Sequence, residues 1–210
     1  MSRSQLKDFM AEIESSDINN QLVLLLTNGL RVGELTGLTW DCVHFDKKEL
    51  YVKQQFVYSK KDHCYKVQTL KNSKPRTVAL PEVAVKALLA QKAKQEDMAL
   101  AAGSLWQNDE GFVFTNEYGR PMSATTFHKH FKKICAKIGL EKMRVHDLRH
   151  NFATYALQIG VDIKTVQEAL GHATAEFTLR QYAAATIEAQ HAAAGAMDSF
   201  IANPTAVKAD

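Results

Sequence analysis

The stretch that decides the fold runs from Arg144 to Tyr182 and reads RVHDLRHNFATYALQIGVDIKTVQEALGHATAEFTLRQY. From Asp147 to Ile159 apolar residues recur at helical spacing, at Leu148, Phe152, Ala153, Ala156 and Ile159, which predicts one helix. Gly160 ends it. Asp162 has the character of an N-cap for a second helix, Ile163 to Leu170, which Gly171 stops just before His172. A third short helix, Phe177 to Ala184, would carry Tyr182. His146 and Arg149 are three positions apart at the start of the first helix, so they share a face. A helix start also offers unpaired backbone N–H groups, which favour an anion.

These side chains together describe a chemistry. The planar fork of an arginine bonds two phosphate oxygens at once. A histidine donates to such an oxygen or accepts a proton near neutral pH. A phenol, with a free pKa of roughly 10, is a weak nucleophile at neutral pH. Neighbouring cations and a base would activate it. The set His146, Arg149, His172 and Tyr182 can therefore hold a phosphate diester and attack it.

Further upstream, TNGLRVGELTGLTW (27–40) places Arg31 after a glycine and at a helix start, Arg31 to Leu38. Glu34, one turn on, is positioned to hold it. These boxes resemble the tyrosine recombinases, the phage-integrase family of DNA strand-transferases. HDLRHNFAT (146–154), LGH (170–172) and Tyr182, ten residues after His172, match the family's C-terminal signature in order and spacing, and the Arg31 box matches its first arginine. The likeness extends from about Leu6 to about Ala194. It implies a mainly helical α+β catalytic domain with one small antiparallel three-stranded sheet, spanning residues 1–202, followed by a polar tail at 203–210.

The resemblance also implies roles. Tyr182 would form a 3′-phosphotyrosyl bond, with Arg31 and Arg149 neutralising the phosphate, His146 helping to deprotonate the phenol and His172 bonding a phosphate oxygen. A lysine on a β-hairpin would protonate the leaving 5′-oxygen. Lys71, five residues before Arg76 in LKNSKPRTVAL (70–80), is the candidate, although an ungapped match puts Asn72 there, with Lys74 nearby. The family implies double-stranded DNA as partner, a homotetramer on synapsed sites with a monomer off DNA, and neither cofactor nor metal. About thirty residues precede Arg31, so the family's N-terminal core-binding domain is expected to be absent from this chain.

The rest of the chain agrees with that reading. Helices are predicted at Gln5–Glu14 with Ser4 as cap, at Gln21–Thr27, at Glu82–Ala102 with Val85, Leu88 and Leu89 inward, and at Ala124–Ile138 behind the cap Ser123. An alanine-rich helix, Ile187 to Ile201, is a candidate contact with a neighbouring protomer. Leu50–Val52 with Phe56–Tyr58 marks one strand, Tyr65–Thr69 another and Arg76–Leu80 a third, and Phe112–Phe114 is a short apolar strand. The net charge is only +3, but Lys47–Arg76 holds nine Lys/Arg against two Asp/Glu, and Arg120–His150 eight against two. Two basic blocks on a near-neutral chain fit a polyanion.

Other classes fare worse. No apolar run approaches the ~20 residues that cross a bilayer, and the N-terminus has no signal-peptide core, so a cytoplasmic protein of a bacterial cell or mobile element is expected. Cys42, Cys64 and Cys135 form no paired motif. His146 and His150 have the i, i+4 spacing of a zinc hydrolase, but Asp147 stands where its glutamate would be and Arg149 would oppose the metal's charge. A DNA-binding module without chemistry leaves the polar constellation unexplained. A type IB topoisomerase shares the tyrosine chemistry, and the boxes around Arg31 and His146 favour recombination over it.

Overall fold

Four leucines and valines in succession, Val23 to Leu26 with Leu22 before them, leave one helix no polar side to expose. It becomes the centre of the core. In the computed structural model, which describes residues 1–70, 74–171, 194–195, 197–198 and 201–202, this helix is α2 (Asn19–Asn28) and Leu22 to Leu25 are buried. It packs against α4 (Glu82–Ala102) and α6 (Val145–Gln158). α1 (Arg3–Glu14) lies against α2 and α5 (Ala124–Lys137), with Phe9 and Phe131 meeting edge to face at 6.4 Å. α3 (Val32–Thr36) follows α2 directly, and α7 (Ile163–Leu170) follows α6.

Several boundaries shift from expectation for identifiable reasons. α1 starts earlier because Ser2, not Ser4, is its cap: Ser2 Oγ accepts the Gln5 N–H and Gln5 Oε1 accepts the Ser2 N–H. α6 starts at Val145 because Asp147 caps it from within, accepting the Arg144 N–H at 2.8 Å. α4 turns Ala84, Ala87, Leu88, Gln91 and Gln95 inward and leaves Leu89 half exposed. The two buried glutamines explain why Phe112–Phe114 makes no strand. Gln95 Nε2 donates to the Phe112 carbonyl and Gln91 Nε2 to the Val113 carbonyl, so side chains take two carbonyls a sheet would have paired, and the β pairing is confined to an isolated bridge between Phe112 and Thr39. α5 keeps the predicted stripe, with Phe127, Phe131, Ile134 and Cys135 buried and Ser123 as cap.

The strands correct the expectation of a single sheet. The apolar run after Glu49 breaks at Lys53, whose ammonium reaches Asp41 at 2.6 Å. Its halves, β2 (Glu49–Val52) and β3 (Gln54–Ser59), take different partners. β2 lies between β1 (Val43–His44) and β5 (Arg76–Ala79) in a three-stranded antiparallel sheet, with Leu50 opposite Val78. β3 pairs with β4 (Cys64–Thr69) as a separate two-stranded ribbon, in register from Gln54–Thr69 to Ser59–Cys64. The mainly α, α+β class holds. Among the described residues no helix is long and apolar enough to cross a membrane.

Gly29 sets the turn between α2 and α3. Its φ is +61°, and a Cβ there would lie 2.5 Å from Phe152 Cδ1 and 2.7 Å from Leu170 Cδ2. Beside it, Asn28 is wholly buried and donates to the Ala79 carbonyl at 2.8 Å, tying the end of α2 to β5. Gly29→Ala is expected to destabilise the protein by about 3 kcal/mol, from left-handed strain and overpacking together. The midpoint of urea unfolding measures it, and an unchanged midpoint would contradict this account of the turn.

Candidate active site

Two helices of the site open in the same way. At α3, the Glu34 carboxylate accepts the Arg31 backbone N–H at 2.9 Å and the Arg31 guanidinium at 2.8 Å. At α6, the Asp147 carboxylate accepts the Arg144 N–H at 2.8 Å and its guanidinium at 2.9 Å. In each case an acid at the third helical position satisfies a backbone donor and complements the helix dipole. The consequence at α3 is that Arg31 is the residue before the helix rather than its first turn. Its side chain is a third exposed, while Glu34 is almost fully buried.

Glu34 holds a second arginine as well. Arg76 Nη1 and Nη2 donate to the two Glu34 oxygens at 3.0 and 2.8 Å, and Arg76 Nε donates to the Ala169 carbonyl at 2.7 Å. Burial works to raise the Glu34 pKa, but the bonds and charge of Arg76, then of Arg31, outweigh it and hold the carboxyl below its ordinary value. Arg149 is buried too. Its Nη1 donates to the Gly29 carbonyl at 2.6 Å and its Nη2 to the Leu170 carbonyl at 2.5 Å. His146 and Arg149 are one turn apart, yet their side chains part: Arg149 turns inward to these carbonyls and His146 stays exposed.

His146 and Arg31 line one cleft of about 310 Å³, with Gly33, Gln55, Val57 and His128 among its walls. The His146 ring meets His150 edge to face, centroids 4.7 Å apart. Its partial loss of solvent lowers the His146 pKa, and His150, Arg149 and Arg31 lower it further against the pull of Asp147. The ring is therefore neutral, and able to accept a proton, at pH 7. His150 is shifted the same way, chiefly by burial. Among the described residues no three His, Cys, Asp or Glu side chains gather as a metal-ligand set.

Of the predicted residues, then, Arg31 at the entry of α3 and His146 of α6 share the cleft, while Arg149 does not line it and is tied to the Gly29 and Leu170 carbonyls. Lys71, with Asn72, and also His172, Tyr182 and the helix Phe177–Ala184 lie outside the described residues, as does most of Ile187–Ile201. Lys74 is exposed ahead of β5. Sequence reasoning used Arg76 only as a spacing marker and gave His128 and Gln55 no place in the cleft. For Arg76 a signal existed: it alternates with Val78 and Leu80, both buried, so an extended segment turns all three the same way.

The family model described as the phage integrase family matches residues 1–188. The chain belongs to the phage integrase family. Among curated relatives of this family, the tyrosine recombinase XerC-like protein of Caldanaerobacter subterraneus subsp. tengcongensis is 33% identical over 192 residues, covering 86% of this chain and 49% of the relative. Tyrosine recombinase XerD of Listeria monocytogenes serotype 4b is 33% identical over 178 residues, covering 80% and 53%. The chain thus spans about half the length of these integrase-family relatives. Solved structures share its fold. The Tn1549 transposon integrase bound to transposon right end DNA superposes with a TM-score of 0.74 at 23% identity, over 87% of this chain and 60% of that one. The XerA recombinase superposes with a TM-score of 0.68 at 25% identity, over 91% and 64%. The architecture is therefore that of the tyrosine-recombinase catalytic domain, and the Arg31, Arg149 and His146 boxes lie within the residues the integrase family model matches.

Proposed function

We propose that this chain is the catalytic part of a site-specific DNA recombinase that cuts and rejoins strands through a 3′-phosphotyrosyl intermediate. The observation that carries the reading is the cleft shared by Arg31 and His146, which puts a fixed cation beside a neutral imidazole in a chain of the integrase family. Tyr182 attacks the scissile phosphorus and its phenolic proton passes to His146. The bond to the 5′-oxygen breaks, and Lys71 protonates that oxygen. Arg31 and the buried charge of Arg149 stabilise the charge growing on the non-bridging oxygens, with His172 bonding one of them. A 5′-hydroxyl from a second duplex then gives its proton to Lys71 and attacks the phosphotyrosyl phosphorus, and the bond to the tyrosine breaks as the phenol takes its proton back from His146. The protein–DNA bond conserves the energy of the cut diester, so the scheme consumes no nucleotide.

The partner in this reading is double-stranded DNA, acted on by a homotetramer at paired sites. The basic exposed face of α5 supports it, because Lys129, Lys132, Lys133 and Lys137 surround the buried stripe and suit contacts to the phosphate backbone. His128, on the same helix, lines the cleft. The test is a pool of randomised nicked duplexes from which the cut 5′ fragment diffuses away. An SDS-resistant, protease-sensitive protein–DNA adduct is the expected product, formed equally with chelator present. No adduct at any sequence would overturn the proposal.

The lowered His146 pKa makes a prediction with a definite sign. A base works in its neutral form, which predominates above its pKa, so the acid limb of the cleavage rate falls below pH 6.5. Replacing His150 by glutamine removes a neighbour whose charged form, populated as the pH falls, helps to depress His146. The limb then moves upward in pH. A single-turnover pH profile that is unmoved would separate His150 from the base.

A further inference from the structure

Arg76 is nine-tenths buried, and its one planar group touches two helices from a strand. Glu34, which it grips through both carboxylate oxygens, belongs to α3 and also holds the backbone and guanidinium of Arg31. Ala169, whose carbonyl it takes through Nε, is in the last turn of α7, three residues before His172. Arg76 itself opens β5, five residues after Lys71, and β5 packs on α7. A cation at the carbonyl end of a helix is favoured by the dipole. The three contacts need the arginine fork, because an ammonium is a point charge that cannot span a carboxylate and a carbonyl in one plane.

We infer that Arg76 is a positioning residue for strand transfer. It fixes the last turn of α7, three residues before His172 in sequence, against the entry of α3, and so sets the Arg31 cation relative to that helix end. This rests on the recombinase reading above. The effect is on geometry at the reacting centre rather than on DNA affinity, since Arg76 is buried and its guanidinium is taken up by Glu34 and the Ala169 carbonyl.

The experiment compares the parent with Arg76→Lys, Arg76→Gln, Glu34→Gln and the Glu34→Gln/Arg76→Lys double variant. Each is melted, its DNA affinity is measured by anisotropy, and adduct formation is timed at saturating nicked DNA below every melting temperature. Arg76→Lys is expected to keep the parent's affinity and to form adduct about 10²-fold more slowly, the scale of a small misplacement at a reacting centre. The double variant is expected to be no slower than the slower single, because both changes cut one tie. Adduct formation by Arg76→Lys at the parent's rate would overturn the assignment. So would loss of rate and affinity together in proportion to the folded fraction, or melting of both Arg76 variants below any workable temperature, since each makes the residue a matter of folding alone. A parent that forms no adduct overturns the recombinase reading itself, before any variant is compared.

Discussion

A Tyr182→Phe protein is expected to bind DNA as the parent does and to form no covalent adduct. The substitution removes one oxygen and leaves the aromatic ring, so the basic surfaces that set affinity are untouched. On the proposed scheme the reaction loses its nucleophile. In enzymes that act through a covalent intermediate, such a loss lowers the rate by roughly 10⁴- to 10⁶-fold, which takes the adduct below detection on a denaturing gel. Anisotropy on an intact duplex supplies the affinity. Residual adduct in the phenylalanine protein would mean that another side chain attacks the phosphorus, and the assignment of Tyr182 would be wrong.

The second large effect is on stability. Glu34→Ala leaves the guanidinium groups of Arg31 and Arg76 together without their shared carboxylate, and Arg76 is only 8% exposed. Stranding a buried charge in this way costs about 3–5 kcal/mol. For a chain of this length that lowers the melting temperature by roughly 10 °C. Glu34→Gln keeps the volume and separates charge from packing. Because the folded carboxyl sits below its ordinary value of 4.5, its stabilisation is present in full above that value and fades as the pH falls through the depressed one. The parent should therefore lose more stability on acidification than Glu34→Gln does. Equal slopes of unfolding free energy against pH would show that the Arg31–Glu34–Arg76 cluster adds nothing at neutral pH.

Much of this was legible in the residues, for reasons that can be named. Arg31, His146 and Arg149 sit in short local patterns that place them at helix starts, although the shared face expected of His146 and Arg149 does not hold, because Arg149 turns inward to two backbone carbonyls. The stripe of α5 was legible because Phe127, Phe131, Ile134 and Cys135 repeat at the helical period. What escaped depends on partners distant in sequence. Nothing local tells Leu50–Val52 to pair with Arg76–Ala79 while Gln54–Ser59 pairs with Cys64–Thr69. Glu34 was expected to hold one arginine, and a second arrives from 42 positions away. Phe112–Phe114 looks like a strand because its side chains are apolar. Two of its carbonyls are instead taken by Gln91 and Gln95, which a helical pattern files as polar positions, and its strand-like pairing stops at one bridge to Thr39.

The bonds that Arg149 makes to the Gly29 and Leu170 carbonyls carry a consequence for the order in which the site is assembled. They join α6 to a turn 120 positions earlier and to a helix end 21 positions later. A chain still emerging from the ribosome, or clipped between those points, has the arginines but no cradle to set them in. Under the proposed function, competence to cut a strand would therefore arrive only once both of these distant contacts have closed.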